Sequence, residues 1–336
     1  MNIDEKLKPF KIYLRNNNNF ECEPQTTILQ ASINEEKVLE HNCMSGRCRS
    51  CKVKVLEGKT IDTKENTILS EKEKKEGYIL SCISKPLSNV KLDIEDLGKI
   101  KLNKVRIVPS KIESLRNISP SVIKVILRLP PNSNFNFLPG QYVNIIKGRI
   151  RRSYSIANNK RADNKLEFFI KKVRNGVMSE YWFNEADEDD LLRIEGPLGT
   201  FFLRASKDTQ DIVFLATGTG IAPIKAILEQ ISNNDSYIQN KKVLVLWGAR
   251  YEEDIFWNPE GTNNIKFIPI LSGKNVNWKG KTGYVQNILL SKYNNLKNVQ
   301  VYACGLSDMI NSSKDLLIKN GLKENNFFSD AFVSSN

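Results

Sequence analysis

The spacing of apolar residues divides the chain into parts with different periodicities. Residues 1–98 combine short strand-like runs with one helical segment. Residues 105–205 carry recurring strand-length runs separated by Gly, Pro and Asn, and residues 206–336 alternate apolar strands with helices. The basic stretch 99–104 between the first two parts is predicted to be a linker. We therefore expect three domains, with a mixture of α+β and α/β architecture.

The first part is predicted to be a β-grasp domain, in which strands wrap around one helix. Thr26 and Thr27 are expected to cap that helix, and Ile28, Leu29 and Ile33 form its apolar face. Residues 70–76 form a charged helical turn. The predicted strands are 10–15, 20–23, 52–56, 78–84 and 90–94.

The second part is predicted to be an antiparallel β-barrel, because turn residues separate its apolar runs and one helical segment, 176–184, interrupts them. Its predicted strands are 105–114, 122–129, 141–146, 153–157, 166–173 and 191–195.

The third part is predicted to be a doubly wound parallel sheet, in which ligands bind at the carboxyl ends of the strands. Thr282 is expected to cap a helix that ends near Leu290, and Ser307 a helix that stops at Asn320. Pro223 is expected at a first helical position. The predicted strands are 211–216, 242–247, 265–271 and 299–303, with a turn at 304–305.

Composition narrows the class of protein. The chain has 336 residues, 40% of them hydrophobic and 26% charged, which is typical of a globular protein. Neither a membrane-spanning run nor a signal-peptide pattern is present in the sequence, so a cytoplasmic location without membrane attachment is expected. The net charge of +12 lies outside residues 1–98, whose basic and acidic residues balance. Without a zinc-finger or RNP signature, nucleic-acid binding is not expected; a solvated basic surface or an acidic partner are the alternatives.

Four cysteines carry the strongest chemical signal. Cys43, Cys48 and Cys51 have the spacing C-x4-C-x2-C, and Cys82 follows. This is the plant-type [2Fe–2S] pattern. The alternatives are a zinc site, which usually pairs its cysteines as two CxxC units, or unligated core thiols. Cys22 is expected to be a buried structural thiol.

The only histidine, His41, limits the other possibilities. A Rieske cluster needs two histidines on one iron, and most zinc hydrolases need two or three. His41 is expected to be a surface or loop residue near the cysteines and not a ligand. Gly46 in the cysteine loop can adopt the positive φ that turns backbone N–H groups toward the sulfurs.

Two further motifs indicate nucleotide cofactors. An alternating strand places Arg152 and Tyr154 on one face, which suits a ligand with a phosphate and a flat ring. Gly176 and Ser179 open the helical segment, where backbone N–H groups bind phosphate. The Gly218-x-Gly220 loop lacks the third glycine of the dinucleotide fingerprint, so an ordinary strand-to-helix turn remains the alternative.

Together these motifs resemble the ferredoxin–NADP reductase superfamily, in single-chain form with [2Fe–2S], flavin and nicotinamide domains. The resemblance implies that Arg152 holds the flavin pyrophosphate, that Tyr154 stacks on the isoalloxazine, and that Ser155 approaches its hydride-accepting nitrogen. Gly176 and Ser179 would bind the second phosphate.

For the nicotinamide cofactor, the resemblance implies a loop at Gly218, Thr219, Gly220 and Pro223 and a second contact at Cys304 and Gly305. Cys304 would lie beside the nicotinamide as a positioning residue, with a buried strand-end thiol as the plainer alternative. Asp330 and Phe332 would approach the flavin, with an edge strand in the tail as the plainer alternative. Ser155, Cys304 and Asp330 are thus the expected catalytic residues.

Within the superfamily the chain most resembles the CDP-6-deoxy-Δ3,4-glucoseen reductases, in segments 152–158, 193–197 and 327–333. The resemblance implies FAD as the flavin and, as electron acceptor, a pyridoxamine-phosphate dehydratase acting on a CDP-4-keto-6-deoxy sugar. A reductase of an aromatic ring-hydroxylating dioxygenase or monooxygenase is the alternative, and a non-enzymatic iron–sulfur sensor is a third hypothesis. The family loop usually has glycine directly after its second cysteine, where this chain has Arg49.

NADH is expected as the nicotinamide cofactor, with NADPH as the alternative. A 2′-phosphate needs a cation. Arg250 could supply it, but Glu252, Glu253 and Asp254 follow directly and would repel the phosphate.

Overall fold

The chain forms two compact units, Met1–Leu102 and Asn103–Asn336. They come from a computed structural model that describes residues 8–98, 100–204, 208–234, 238–259, 265–273 and 277–332. The predicted domain limits at 98, 104 and 205 stay predictions, and residues 99 and 205–207 lie outside the described part.

The first unit is built on a five-stranded sheet in the order β2-β1-β7-β3-β5, with β4 and β6 in a separate two-stranded ribbon. Strands β1 and β7 pair in parallel, which brings the two ends of this unit together. Its elements are β1 (Phe10–Tyr13), β2 (Asn19–Cys22), α1 (Ile28–Asn34), β3 (Lys52–Glu57), β4 (Thr60–Asp62), α2 (Glu71–Lys75), β5 (Tyr78–Leu80), β6 (Ser84–Pro86) and β7 (Val90–Leu92).

Helix α1 begins where the polar-to-apolar transition predicts. The Thr27 side chain accepts a hydrogen bond from the Gln30 N–H. Ile28 and Leu29 are buried in one core with Cys22 and Leu80, so the apolar face of α1 covers the sheet. Ile33 is instead 38% exposed, at the edge of that face.

One prediction for the first unit is wrong. Residues 78–84 are not one strand: β5 ends at Leu80, and Cys82 lies in a turn before β6. The turn arises because β5 and β6 join different sheets, which an apolar run alone does not show. His41 lies in a loop, which is one of the two predicted locations, but it is buried: it is only 5% exposed and its Nδ1 lies 2.8 Å from the Leu39 carbonyl oxygen.

The first part of the second unit is a six-stranded antiparallel sheet in the order β11-β10-β13-β8-β9-β12. The Ala157 N–H donates to the Glu167 carbonyl at 2.8 Å, which joins the chain after β11 to the opposite edge strand β12. Its elements are β8 (Arg106–Ser119), β9 (Val122–Arg128), β10 (Tyr142–Lys147), β11 (Ile150–Ser155), β12 (Lys165–Lys171), α3 (Val177–Glu180), a π-helical turn (Tyr181–Glu185) and β13 (Leu191–Leu198).

The second part of this unit is the predicted parallel sheet, in the order β17-β16-β15-β14-β18-β19. The chain winds outward from β14 on one side and from β18 on the other, so the topological switch point lies between these two strands. Its elements are β14 (Asp211–Thr217), α4 (Ile221–Asn233), β15 (Lys242–Ala249), β16 (Ile265–Leu271), β17 (Lys281–Thr282), α5 (Val285–Leu290), β18 (Val299–Leu306), α6 (Ser307–Lys319) and β19 (Phe327–Phe332).

Several local predictions fail in this sheet. Cys304 and Gly305 are not a turn but part of β18, which continues to Leu306 and pairs with β19. Thr282 lies in β17 and does not cap α5, whose N-cap is Tyr284. Likewise, Ser307 is the first residue of α6 and not its cap, which is Leu306. Long-range strand pairing extends β18 further than the local turn signal suggests.

The start of α4 also differs in detail. Residues Gly218–Gly220 form a short 3-10 turn, and Pro223 is the third residue of α4, not the first. None of the described helices is long and apolar enough to cross a membrane.

Candidate functional site

The four predicted cysteine ligands lie in the first unit as two pairs. The sulfurs of Cys51 and Cys82 are 3.2 Å apart. The Cys43 N–H donates to Cys48 Sγ at 3.4 Å, and hydrogen bonding from the Cys48 thiol is the main reason that the pKa of Cys43 falls to about 4. One pair comes from the loop alone, and the other joins the loop to the turn after β5.

Backbone N–H groups point at the loop sulfurs. The N–H groups of Ser45 and Arg47 both donate to Cys43 Sγ at 3.4 Å. Positive φ angles at Met44, Gly46 and Arg49 curl the loop so that these donors face inward. Such N–H nests stabilise the negative charge of a thiolate cluster and tune its potential.

The two-plus-two arrangement fits two irons better than one zinc. Each iron of a [2Fe–2S] cluster takes two thiolates, whereas a structural zinc takes four ligands at one point. The donor set therefore suits the cluster.

Arg49 occupies the position where the family pattern has glycine, and its φ of 64° explains that preference. Its guanidinium donates to the Ile68 carbonyl at 2.7 Å and pairs with the Glu73 carboxylate. Lys52 Nζ lies 2.9 Å from the same carboxylate. Burial raises the pKa of Glu73, but hydrogen bonds from the Ser70 backbone, Lys52 and Arg49 outweigh it and lower this pKa to about 2. Arg49 thus ties the cysteine loop to α2.

The predicted flavin residues Arg152, Tyr154 and Ser155 lie on β11 at the edge of the antiparallel sheet. Trp182, which the sequence did not single out, donates its indole N–H to the Tyr154 hydroxyl at 3.1 Å and packs edge-on against that ring. Burial raises the pKa of Tyr154 to about 12, so its hydroxyl stays protonated at neutral pH.

Arg152 is only partly buried, and among the described contacts it donates to the neighbouring Arg151 carbonyl at 2.8 Å. Gly176 is the N-cap of α3, and the buried Ser179 hydroxyl accepts from the Val173 N–H at 2.9 Å. The structure thus brings a cation and a helix start to the same antiparallel sheet, and the phosphate roles of these residues remain predictions.

The predicted nicotinamide residues meet at the switch point of the parallel sheet. Gly220 packs so closely on β18 that a Cβ there would overlap with the Cys304 carbonyl. Gly305, with φ of 137°, packs in the same way against Thr217. Thr219 and Pro223 are buried beside them. Only glycine allows both backbone approaches, so the loop after β14 and the end of β18 form one surface.

Cys304 and Asp330 are register partners on β18 and β19. Burial, with the nearby Asp330 charge as a second cause, raises the pKa of Cys304 well above its usual range, so this residue is a neutral thiol at neutral pH. Asp330 is buried and Phe332 is half-buried at the end of β19. The tail is therefore the edge strand given as the plainer alternative, and the expected approach of Asp330 and Phe332 to the flavin stays a prediction.

Lys171 is a further residue that the sequence did not single out. It ends β12 of the antiparallel sheet, yet its Nζ lies 3.9 Å from where a Cβ on Gly218 would stand. No local pattern marks this lysine, because the contact joins residues 47 positions apart, one on β12 and the other in the turn after β14. It places a positive charge at the glycine loop.

Comparison with known proteins matches three family models along the chain. Residues 12–87 match the 2Fe-2S iron-sulfur cluster binding domain, residues 109–203 the oxidoreductase FAD-binding domain, and residues 214–315 the oxidoreductase NAD-binding domain. The cofactor types predicted from the motifs are thereby confirmed.

The chain is 38% identical over 341 aligned positions to the CDP-6-deoxy-L-threo-D-glycero-4-hexulose-3-dehydrase reductase of Yersinia pestis, with 100% of both chains covered. It is 29% identical to the phenol hydroxylase P5 protein of Acinetobacter pittii, covering 94% of this chain and 92% of that protein. The crystal structure of the Amycolatopsis cytochrome P450 reductase GcoB shares the fold, with a TM-score of 0.73, 22% identity and coverage of 97% and 99%.

Replacing Gly220 with alanine is expected to weaken NADH binding by about tenfold, because the added Cβ pushes the loop away from Cys304. Fluorescence titration with NADH measures the affinity. Gly148→Ala is the control for the loss of a glycine without steric overlap, since a Cβ at Gly148 meets nothing within 4 Å. Equal affinity in the Gly220→Ala and unmodified chains would contradict this interpretation.

The positive φ of Arg49 is expected to destabilise the folded chain, and its side-chain contacts with Ile68 and Glu73 are expected to stabilise it. Arg49→Gly loses the contacts but relieves the strain, whereas Arg49→Ala loses the contacts and keeps it. The glycine variant should therefore be more stable than the alanine variant by about 1 kcal/mol, measured by urea unfolding. An alanine variant that is equally or more stable would show that the left-handed backbone carries no cost here.

Proposed function

The chain belongs to the family of the CDP-6-deoxy-L-threo-D-glycero-4-hexulose-3-dehydrase reductases, and we propose that it passes electrons from NADH, through FAD and a [2Fe–2S] cluster, to a pyridoxamine-phosphate-dependent dehydratase that acts on CDP-4-keto-6-deoxyglucose. The dehydratase reaction would lead to 3,6-dideoxyhexoses. The observation that carries the proposal is the identity of 38% over the full length of both chains, across all three cofactor domains.

The chain is an oxidoreductase whose cofactors do the electron chemistry. A bound flavin would supply the conversion between a two-electron hydride and the single electrons that the cluster takes. The protein residues bind and orient. We assign the flavin pyrophosphate to Arg152, the isoalloxazine ring to Tyr154 held by Trp182, and the second phosphate to Gly176 and Ser179.

The nicotinamide cofactor is proposed to bind at the switch point between β14 and β18. The loop Gly218–Gly220 and the Cys304–Gly305 segment would hold the cofactor against the flavin, with Cys304 as a neutral, fully buried positioning residue. Ser155, which is buried at the end of β11, would face the hydride-accepting nitrogen. These roles need no strong acid or base among the side chains.

The preference for NADH follows from charge. Arg250 is exposed, but Glu252–Asp254 form a short acidic turn directly after it. Three carboxylates beside one guanidinium disfavour a 2′-phosphate. Steady-state kinetics with both cofactors measures this preference, and a higher efficiency with NADPH would contradict it.

Reconstitution with a candidate dehydratase tests the proposed function. The chain, the dehydratase, NADH and CDP-4-keto-6-deoxyglucose are combined without oxygen, and the product is identified by mass spectrometry. We expect the deoxygenated sugar to form only when both proteins are present. Reduction of an oxygenase component but not of the dehydratase would favour the alternative, a reductase of a ring-hydroxylating dioxygenase or monooxygenase.

Lys171 is expected to bind a phosphate of the nicotinamide cofactor at the glycine loop. Lys171→Met should raise the KM for NADH about fivefold, since one exposed charge contact contributes about 1 kcal/mol. Lys165→Met is the matched control, because Lys165 lies at the other end of β12 and pairs with Glu113 at 2.7 Å. An unchanged KM in Lys171→Met would remove this lysine from the site.

A further inference from the structure

A buried lysine connects the two sheets of the second unit. Lys225 is the fifth residue of α4, the helix that follows the glycine loop, and it is only 7% exposed. An ammonium group that is removed from water needs compensating partners. Its partners lie on α4 itself and in the antiparallel sheet, so Lys225 connects the two parts of the unit.

The most direct contact reaches the flavin strand. Lys225 Nζ donates to the Ala157 carbonyl at 2.9 Å, and Ala157 follows Ser155 by two residues. Its charge is met by Glu229 on the same helix and by Glu167 Oε1 on β12 at 3.3 Å. One side chain thus bonds the end of the flavin motif to the helix that begins directly after Gly220.

A second layer of ion pairs surrounds this lysine. Glu167 is 3% exposed in its side chain, and its Oε2 lies 3.3 Å from Lys124 Nζ and 3.7 Å from Arg161. Arg161 also pairs with Glu229 at 3.2 Å, and the Asn159 N–H donates to Glu229 Oε2 at 2.8 Å. Both carboxylates therefore bridge α4 and the antiparallel sheet.

Apolar contacts also cross this junction. Ala157 and Phe169 of the antiparallel sheet share a core with Ile224, Ile227 and Leu228 of α4. Hydrophobic contacts stabilise but do not fix direction. The hydrogen bond from Lys225 and its ion pairs are directional, so they set how far along the junction α4 lies.

We propose that Lys225 is a positioning residue for hydride transfer: by bonding to the Ala157 carbonyl, it fixes the nicotinamide loop relative to the flavin strand. The inference rests on the proposed function. Because reaction rates fall steeply when reacting groups are displaced by about 1 Å, a loss of this bond should slow the transfer more than it weakens binding.

Other charged and polar groups around Glu167 and Glu229 allow Lys225 to be replaced without isolating these carboxylates. Without Lys225, Glu167 keeps Lys124 and Arg161, and Glu229 keeps Arg161 and the Asn159 N–H. In Lys225→Met, Glu167 Oε1 loses its ion pair, but each carboxylate keeps a charged partner through its other contacts. The methionine side chain replaces the aliphatic part of the lysine. The variant is expected to fold and to hold FAD.

The test is anaerobic stopped-flow reduction of the FAD in the full chain by NADH. Lys225→Met should lower the limiting rate roughly tenfold to a hundredfold, while the half-saturating NADH concentration stays near that of the unmodified chain. Glu229→Ala should give a smaller loss of the same kind. Lys314→Met is the control, because its 2.9 Å ion pair with Glu324 lies within the nicotinamide domain alone.

A normal limiting rate in Lys225→Met would overturn the inference, as would an equal loss in Lys314→Met. If Lys225→Met cannot be isolated with FAD, Lys225→Leu, which also has no donor for the Ala157 carbonyl, is measured in its place, and a normal limiting rate in that variant overturns the inference. An unmodified chain whose flavin is not reduced by NADH or NADPH would contradict the proposed function itself, and the positioning role with it.

Discussion

A nicotinamide gives up two electrons as one hydride, whereas a [2Fe–2S] cluster accepts a single electron, and this mismatch determines what the chain must contain. Hydride transfer needs two rings in contact, so the FAD-binding and NAD-binding domains have to be held in a fixed relation. Both lie in one compact unit, Asn103–Asn336, with a shared apolar core. The cysteine loop, which needs only electrons, lies in the other unit.

Each site depends either on a close backbone contact that leaves no room for a Cβ or on a residue with a positive φ. Gly220 and Gly305 let β14, β18 and the nicotinamide loop meet without a Cβ between them. Gly46 and Arg49 turn the cysteine loop so that N–H groups face the sulfurs. Arg49 has a Cβ in the left-handed region, and its contacts with Ile68 and Glu73 offset that strain.

Local patterns predicted the architecture and most of the elements. The period-two runs located the strands of the antiparallel sheet, and strand–helix alternation correctly predicted the parallel sheet. The cysteine spacing predicted the loop and its pairing with Cys82, although Cys82 lies in a turn and not on a strand. The family resemblance was confirmed by the comparisons.

What the sequence did not reveal are contacts between residues far apart in the chain. Trp182 against Tyr154, Lys171 at Gly218 and Lys225 on the Ala157 carbonyl have no local signal, because each partner lies on a different element. The extension of β18 through Cys304 likewise depends on its pairing with β19.

An anaerobic titration with NADH tests the central claim, that electrons entering as hydride reach the cluster. Flavin absorbance and the electron paramagnetic resonance signal of the reduced cluster are followed together. Since FAD takes two electrons and the cluster one, full reduction should require about 1.5 equivalents of NADH, with both signals changing. A titration that ends at about one equivalent with reduced flavin and an oxidised cluster would contradict the account.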